Sequence, residues 1–167
     1  MYSGAHLVQA GHTTFDAKVC NYLGSPHLCF TQFRGPFSGG PSTASFSQIL
    51  DEKYRTVRTI EPTGEFAGQP LKQDLHEFHV VGSKGQTALI TSYVTFPHHV
   101  AFPGCPHSPI SNYTRNGLFS EVTTDGKNTT LFQWSAVDHV DPTDAYVCPG
   151  DLNSGGGTSQ TDGFDFL

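Results

Sequence analysis

Short alternating runs broken by turn clusters, with no stretch of helical period, constrain this chain more than any other feature. Leu118–Thr123 and Thr129–Trp134 flank Asp125-Gly126. Asp-Gly between two alternating runs is the strongest short hairpin signal, because such turns need positive φ. His76–Val81 and Ala88–Phe96 flank Gly82-Ser83-Lys84-Gly85 in the same way. Upstream, Ala17–Tyr22 and Leu28–Phe33 are separated by the turn cluster Leu23-Gly24-Ser25-Pro26-His27. Ser47–Asp51 and Tyr54–Ile60 complete that earlier set. The pattern predicts two units of four strands, over residues 17–60 and 75–136. Loops are expected at 34–45, 61–73, 97–116 and 138–160, an edge strand at Leu7–Gly11 and the beginning of a further strand at 162–167.

Composition agrees with that reading. Among 167 residues there are 18 Gly, 11 Pro and 13 Phe, with only 14% charged, which is the profile of an all-β chain rich in turns. Four-strand units recurring along a chain are the mark of propeller blades. The expected fold is therefore all-β: an incomplete β-propeller with two four-stranded antiparallel blades and the start of a third. Two blades alone leave apolar faces and strand edges open, so self-association through those edges is expected. The formal charge of −6, with nine Lys and Arg spread along the chain, argues against a nucleic-acid partner. No run of apolar residues is long enough for a membrane span.

One strand carries unusual chemistry. Asp74-Leu75-His76-Glu77-Phe78-His79-Val80-Val81 puts two imidazoles and a carboxylate among apolar neighbours. Burying an unpaired polar group costs roughly 1–3 kcal/mol, so strand cores seldom hold such groups without a use for them. Residues three apart on a regular strand face opposite sides, so His76 and His79 are not expected to chelate one metal unless the strand bulges. The spacing is also not the His-Glu-x-x-His of zinc proteases, and no metal or other cofactor is expected. Two uses stay open. His76, Glu77 and His79 could tie strand to loop through hydrogen bonds, or they could line a site. Downstream, Asp138-His139-Val140-Asp141 follows Phe132-Gln133-Trp134. Its carboxylates could orient His139, or the segment could be an interblade turn with Trp134 and Phe132 in the core. His98, His99 and His107 fall in a Pro-rich loop, solvated or lining the mouth of a site.

The blocks Leu75-His76-Glu77-Phe78-His79-Val80-Val81, Thr87-Ala88-Leu89-Ile90-Thr91-Ser92-Tyr93, Leu131-Phe132-Gln133-Trp134 and Asp138-His139-Val140-Asp141 together resemble the fungal branch of the arylsulfotransferase family. The resemblance runs from about His6 onward and covers the first part of a family domain. It implies a secreted β-propeller that transfers sulfate from a phenolic sulfate ester to a phenol, with a small phenolic substrate as partner. His76 and His139 are then the candidate catalytic residues, and Glu77 and His79 the candidate binding residues. Family members carry their nucleophile in a motif of the form aromatic-x-His-x-Asn-Ser. Asp165-Phe166-Leu167 matches the residues before that His, which places it beyond Leu167. The expectation is a piece of a longer protein that transfers no sulfate by itself. A non-catalytic secreted binding or scaffold module is the alternative, and a product with no activity is a third reading.

Met1–His6 has neither the basic start nor the apolar core of a signal peptide. Other features point outside the cell, given a leader upstream. Asn112-Tyr113-Thr114 and Asn128-Thr129-Thr130 are glycosylation sequons. The four Cys include no C-x-x-C pair. Cys20 and Cys29 flank a tight turn on strands expected to pair, which favours a hairpin disulfide, with Cys105 and Cys148 joining two long loops. Four reduced, buried thiols are the alternative.

Overall fold

The computed structural model describes residues 14–33, 45–100, 111–140 and 163–165, with side chains described except at 97–100, 111–115 and 163–165. It is all-β. Among the described residues eleven strands follow in order: β1 (Thr14–Tyr22), β2 (Ser25–Phe33), β3 (Ser45–Leu50), β4 (Thr56–Ile60), β5 (Glu65–Phe66), β6 (Gln69–Pro70), β7 (Lys72–Val81), β8 (Thr87–Val100), β9 (Ser111–Thr123), β10 (Thr130–Ser135) and β11 (Gly163–Asp165). Among the described residues the only helical element is a single 3-10 turn, Ala136–Asp138.

The strands form two antiparallel meanders, β1-β2-β3-β4 and β7-β8-β9-β10, in the order the turn signals predict. Both belong to one nine-stranded sheet, because Ser45 at the start of β3 pairs with Gln73 of β7. The Ser45 hydroxyl reinforces that join by donating to the Gln73 carbonyl at 2.7 Å. The last strand departs from the antiparallel rule: β11 runs parallel to β9, with Phe164 beside Thr114. Strands also extend into two stretches that read as loop. β8 runs to Val100 and β9 begins at Ser111, so the β8–β9 ladder covers both ends of 97–116. A pairing partner distant in sequence overrides the local turn composition there. The segment 61–73 holds the small β5–β6 hairpin and the first residues of β7. Leu7–Gly11 lies outside the described residues.

Period-two alternation fixes which side chains meet. From the first meander Cys20, Tyr22, Cys29, Ile49 and Ile60 point inward; from the second, Phe78, Ala88, Ile90 and Val122. Together they make one core, each 9% exposed or less. The inner faces of the two meanders therefore pack on each other.

Cys20 and Cys29 form a disulfide with Cα atoms 5.9 Å apart. They are diagonal neighbours rather than opposite residues: Cys20 opposes His27, and Cys29 opposes Lys18. Both lie on the same face of the β1–β2 hairpin, which is what the bond requires. Cys105 and Cys148 lie outside the described residues.

Polar bonds tie the β1–β2 turn to the ends of β7, β8 and β9. Leu23 N donates to Lys84 O at 2.8 Å, and Asn21 Nδ2 to Ser83 O at 3.1 Å. The Tyr22 hydroxyl and Arg58 Nε both donate to Thr124 O, at 3.3 and 3.0 Å. Gly85 sits in this junction at φ 66°, and any Cβ there would collide with the Asn21 carbonyl. Glycine is needed for its conformation and for the close approach.

Candidate functional site

The outward face of the second meander gathers most of the residues singled out above. Its geometry begins with a defect in β7. Gln73 opposes Ser92 and Phe78 opposes Ile90, so Asp74, Leu75, His76 and Glu77 all face Thr91 alone. Such a bulge re-aims side chains and interrupts the ladder. The regular alternation on which the opposite-face expectation for His76 and His79 rests is interrupted there.

Inside the bulge, Asp74 is buried and His76 is not: their side chains are 7% and 71% exposed. Asp74 Oδ2 accepts from His76 Nδ1 at 2.8 Å, from the His76 backbone N–H at 3.0 Å and from the Thr91 hydroxyl at 3.2 Å. Because a carboxylate accepts, Nδ1 carries a proton toward Asp74, and in the neutral imidazole Nε2 holds the lone pair. The arrangement presents an oriented imidazole, held by a carboxylate that is itself hydrogen-bonded.

The neighbouring strands supply a wall. Thr91 opposes Phe119, and Phe119 opposes Trp134. The Phe119 and Trp134 rings are 6.0 Å apart, and the His139 ring stacks on Trp134 at 5.0 Å with 22° between planes. His139 Nδ1 donates to the Ser135 carbonyl at 2.7 Å. That backbone bond holds its ring; among the described residues no bond joins it to Asp138, and Asp141 lies outside them. Phe132 and Trp134 share a face as their spacing predicts, but it is the outward one. Phe132 is 57% exposed, so the core role fails for it. The inward positions at this level are already filled by Ile90 and Ser120. A cleft of ≈ 70 Å³ lies between Thr91, Tyr93, Phe119 and Trp134. The strands that carry His76 and His139's neighbour Trp134 are three spacings apart, on the order of 14 Å, and the two imidazoles do not meet.

One register step along, His79 opposes Leu89, Leu89 opposes Glu121, and Glu121 opposes Phe132. With Glu77 and Phe119 they line a groove of ≈ 440 Å³. Lys18, at the bulge in β1, approaches His79 Nδ1 to 3.3 Å and also pairs with Asp16. At the opposite end Lys72 is exposed and pairs with Tyr93, on the same face as Thr91. The face is therefore polarised, with Lys72 near the Asp74–His76 pair and two carboxylates, Glu77 and Glu121, at the other end.

Among the described residues, no three His, Cys, Asp or Glu side chains are placed to hold a metal ion. Asn128 follows the Asp125-Gly126 turn at φ 53° and is half-buried, and its backbone carbonyl accepts from the Thr63 hydroxyl at 2.8 Å. Asn112 lies on β9, where its side chain is not described. His98 and His99 fall on β8 where only the backbone is described, and His107 lies outside the described residues. No described helix is long and apolar enough to cross a membrane.

Inspection of the strand motif alone missed Asp74, Thr91, Leu89, Phe119 and Glu121 as parts of one face. The signal available was the pair spacing Leu89-x-Thr91, Phe119-x-Glu121 and Phe132-x-Trp134 on three consecutive strands. No protein-family model, curated protein or solved structure matches this chain.

Proposed function

We propose that the chain is part of an arylsulfotransferase-like β-propeller and that the outward face of its second meander holds a phenolic substrate. The observation that carries this reading is the Asp74–His76 pair: a buried carboxylate fixes an exposed imidazole with Nε2 free. In sulfuryl transfer, Nε2 would take the proton of the acceptor phenol as its oxygen bonds to sulfur. The donor's bond between sulfur and the aryl oxygen breaks, and the donor leaves as a phenolate. Trp134, Phe119 and Tyr93 offer aromatic surface beside the dyad, and Lys72 stands at the same end for the sulfate charge. The two four-stranded meanders support the blade reading of the fold. The Cys20–Cys29 disulfide and the two sequons support an extracellular setting. β10, an edge strand with Leu131 and Phe132 each 57% exposed, is where self-association would run.

The second reading, a non-catalytic binding module, is favoured by one observation: the larger groove is rimmed by two carboxylates rather than by arginines. A titration separates the two. Phenol and 4-nitrophenyl sulfate are added to the protein while the His76, His139 and Trp134 side-chain NMR signals are followed. The transferase-like reading expects both ligands to shift His76, with the response lost in His76→Ala and Asp74→Asn. Shifts confined to Trp134 and the groove would favour the binding module. A face unmoved by either ligand would sink the phenolic-substrate reading.

A further inference from the structure

Exposed apolar side chains are ordinary when scattered, but contiguous ones on one face mark a contact surface. Leu89, Phe119 and Phe132 are 46, 53 and 57% exposed and stand side by side on β8, β9 and β10. Glu121 is set between two of them, directly opposite both Leu89 and Phe132. Glu77 reaches the same groove from the β7 bulge. Neither carboxylate has an ion-pair partner among the described residues. Lys18, which approaches His79 of the groove, is engaged by Asp16. A negative charge without a counter-charge, framed by aromatic and aliphatic surface, is the complement of one kind of small molecule.

We propose that this groove is a binding site for an amphipathic amine, a flat apolar body carrying one protonated nitrogen. The apolar body lies against Leu89, Phe119 and Phe132, whose ring faces also attract a cation. The ammonium group pairs with Glu121, and Glu77 adds to the field. The volume of ≈ 440 Å³ suits a bicyclic ligand. An anion of the same shape is repelled at this end of the face. The inference does not depend on sulfuryl transfer, because the groove lies one register step away from the Asp74–His76 pair.

Three probes of one shape test it: 2-naphthylmethylamine, 2-naphthylmethanol and 2-naphthoate. Binding to the intact chain is measured by NMR titration of the Leu89, Phe119 and Glu121 amides. The amine should bind about fivefold more tightly than the alcohol, the ratio that ~1 kcal/mol of ion pairing gives, and naphthoate should bind most weakly. Glu121→Gln should bring the amine to the alcohol's affinity and leave the alcohol unchanged. A matching thermal melt and unchanged core amide shifts show that the variant is folded. Added salt should weaken only the amine. Equal binding of amine and alcohol would reduce the groove to an apolar patch and overturn the proposal. Tightest binding by naphthoate, or no binding by any probe to the folded protein, would overturn it as well.

Discussion

The two faces of the β7–β10 meander are made of the same strands and much the same residue types, yet they have opposite fates. Inward, Phe78, Ala88, Ile90 and Val122 are each at most 1% exposed and touch the first meander. Outward, Leu89, Phe119 and Phe132 stand about half in water beside Glu77, His79 and Glu121. Alternation along a strand assigns a side chain to a face, but only the partner layer decides whether that face becomes core. The first meander covers one side, and the other is left as a polarised aromatic surface with a buried acid, Asp74, at one end. The comparison teaches that hydrophobicity alone does not mark the core of such a sheet. Burial against a second layer does.

Truncating one phenylalanine on each face is the sharpest way to break the comparison. Phe78→Ala should lower the unfolding free energy by about 3–5 kcal/mol, since it removes a wholly buried ring and leaves a cavity. Urea unfolding of the two proteins measures it. A loss under about 1 kcal/mol would mean that the two meanders do not share a core.

The disulfide tests the first meander's half of that core. Replacing Cys20 and Cys29 together by Ser should cost about 2–3 kcal/mol, the chain-entropy value for a closed loop of sequence separation 9. Non-reducing peptide mapping of protein from a secretory host should recover the Cys20–Cys29 link beforehand. Free thiols at both positions would contradict the hairpin geometry.

On the outer face the expected effect is small. Phe132→Ala should change stability by less than about 0.5 kcal/mol, because the side chain is more than half exposed. It should instead reduce concentration-dependent association measured by sedimentation, as it removes apolar surface from an edge strand. A loss as large as that of Phe78→Ala would show that the outer face is covered.

The smallest effect concerns the Asp51 carboxyl, just after β3 and paired with Arg55. Asp51 is held down to about 2, first by the Arg55 backbone N–H and then by the Arg55 side chain, against an ordinary value of 3.8. Its folded value lies below its unfolded one, so its contribution is present above about pH 4 and is lost as pH falls through about 2. Asp51→Asn should flatten the fall in urea midpoint over that window slightly. An unchanged slope would assign the acid sensitivity to other carboxylates.

Much of the architecture was legible because it rests on local chemistry. Asp125-Gly126 and Gly82–Gly85 set hairpins whose flanking runs alternate, and a turn that needs positive φ announces itself by its residues. The Cys20–Cys29 bond was legible for the same reason, as a short turn limits where two strand residues can go. The site was less legible. The sequence marked His76, Glu77, His79 and His139 as chemically unusual, but it treated β7 as regular. The bulge that puts four residues opposite Thr91 arises from two anchors, Gln73 with Ser92 and Phe78 with Ile90, which are fixed by pairing and by core packing. Local composition carries no trace of such a mismatch.

The sequence by itself determined the existence and order of the four strands in each meander, the turns between their hairpins and the presence of titratable groups on β7, but not the full length of β8 and β9 or the β5–β6 hairpin. Tertiary structure alone decided that Ser45 joins the meanders into one sheet, that Asp74 is buried while His76 is exposed, and that Phe132 faces outward. The physical reason is the range of the interactions. Turn conformation and side-chain alternation are set by neighbours in the chain. Register, bulges and burial depend on which distant strand arrives opposite and on what lies above it.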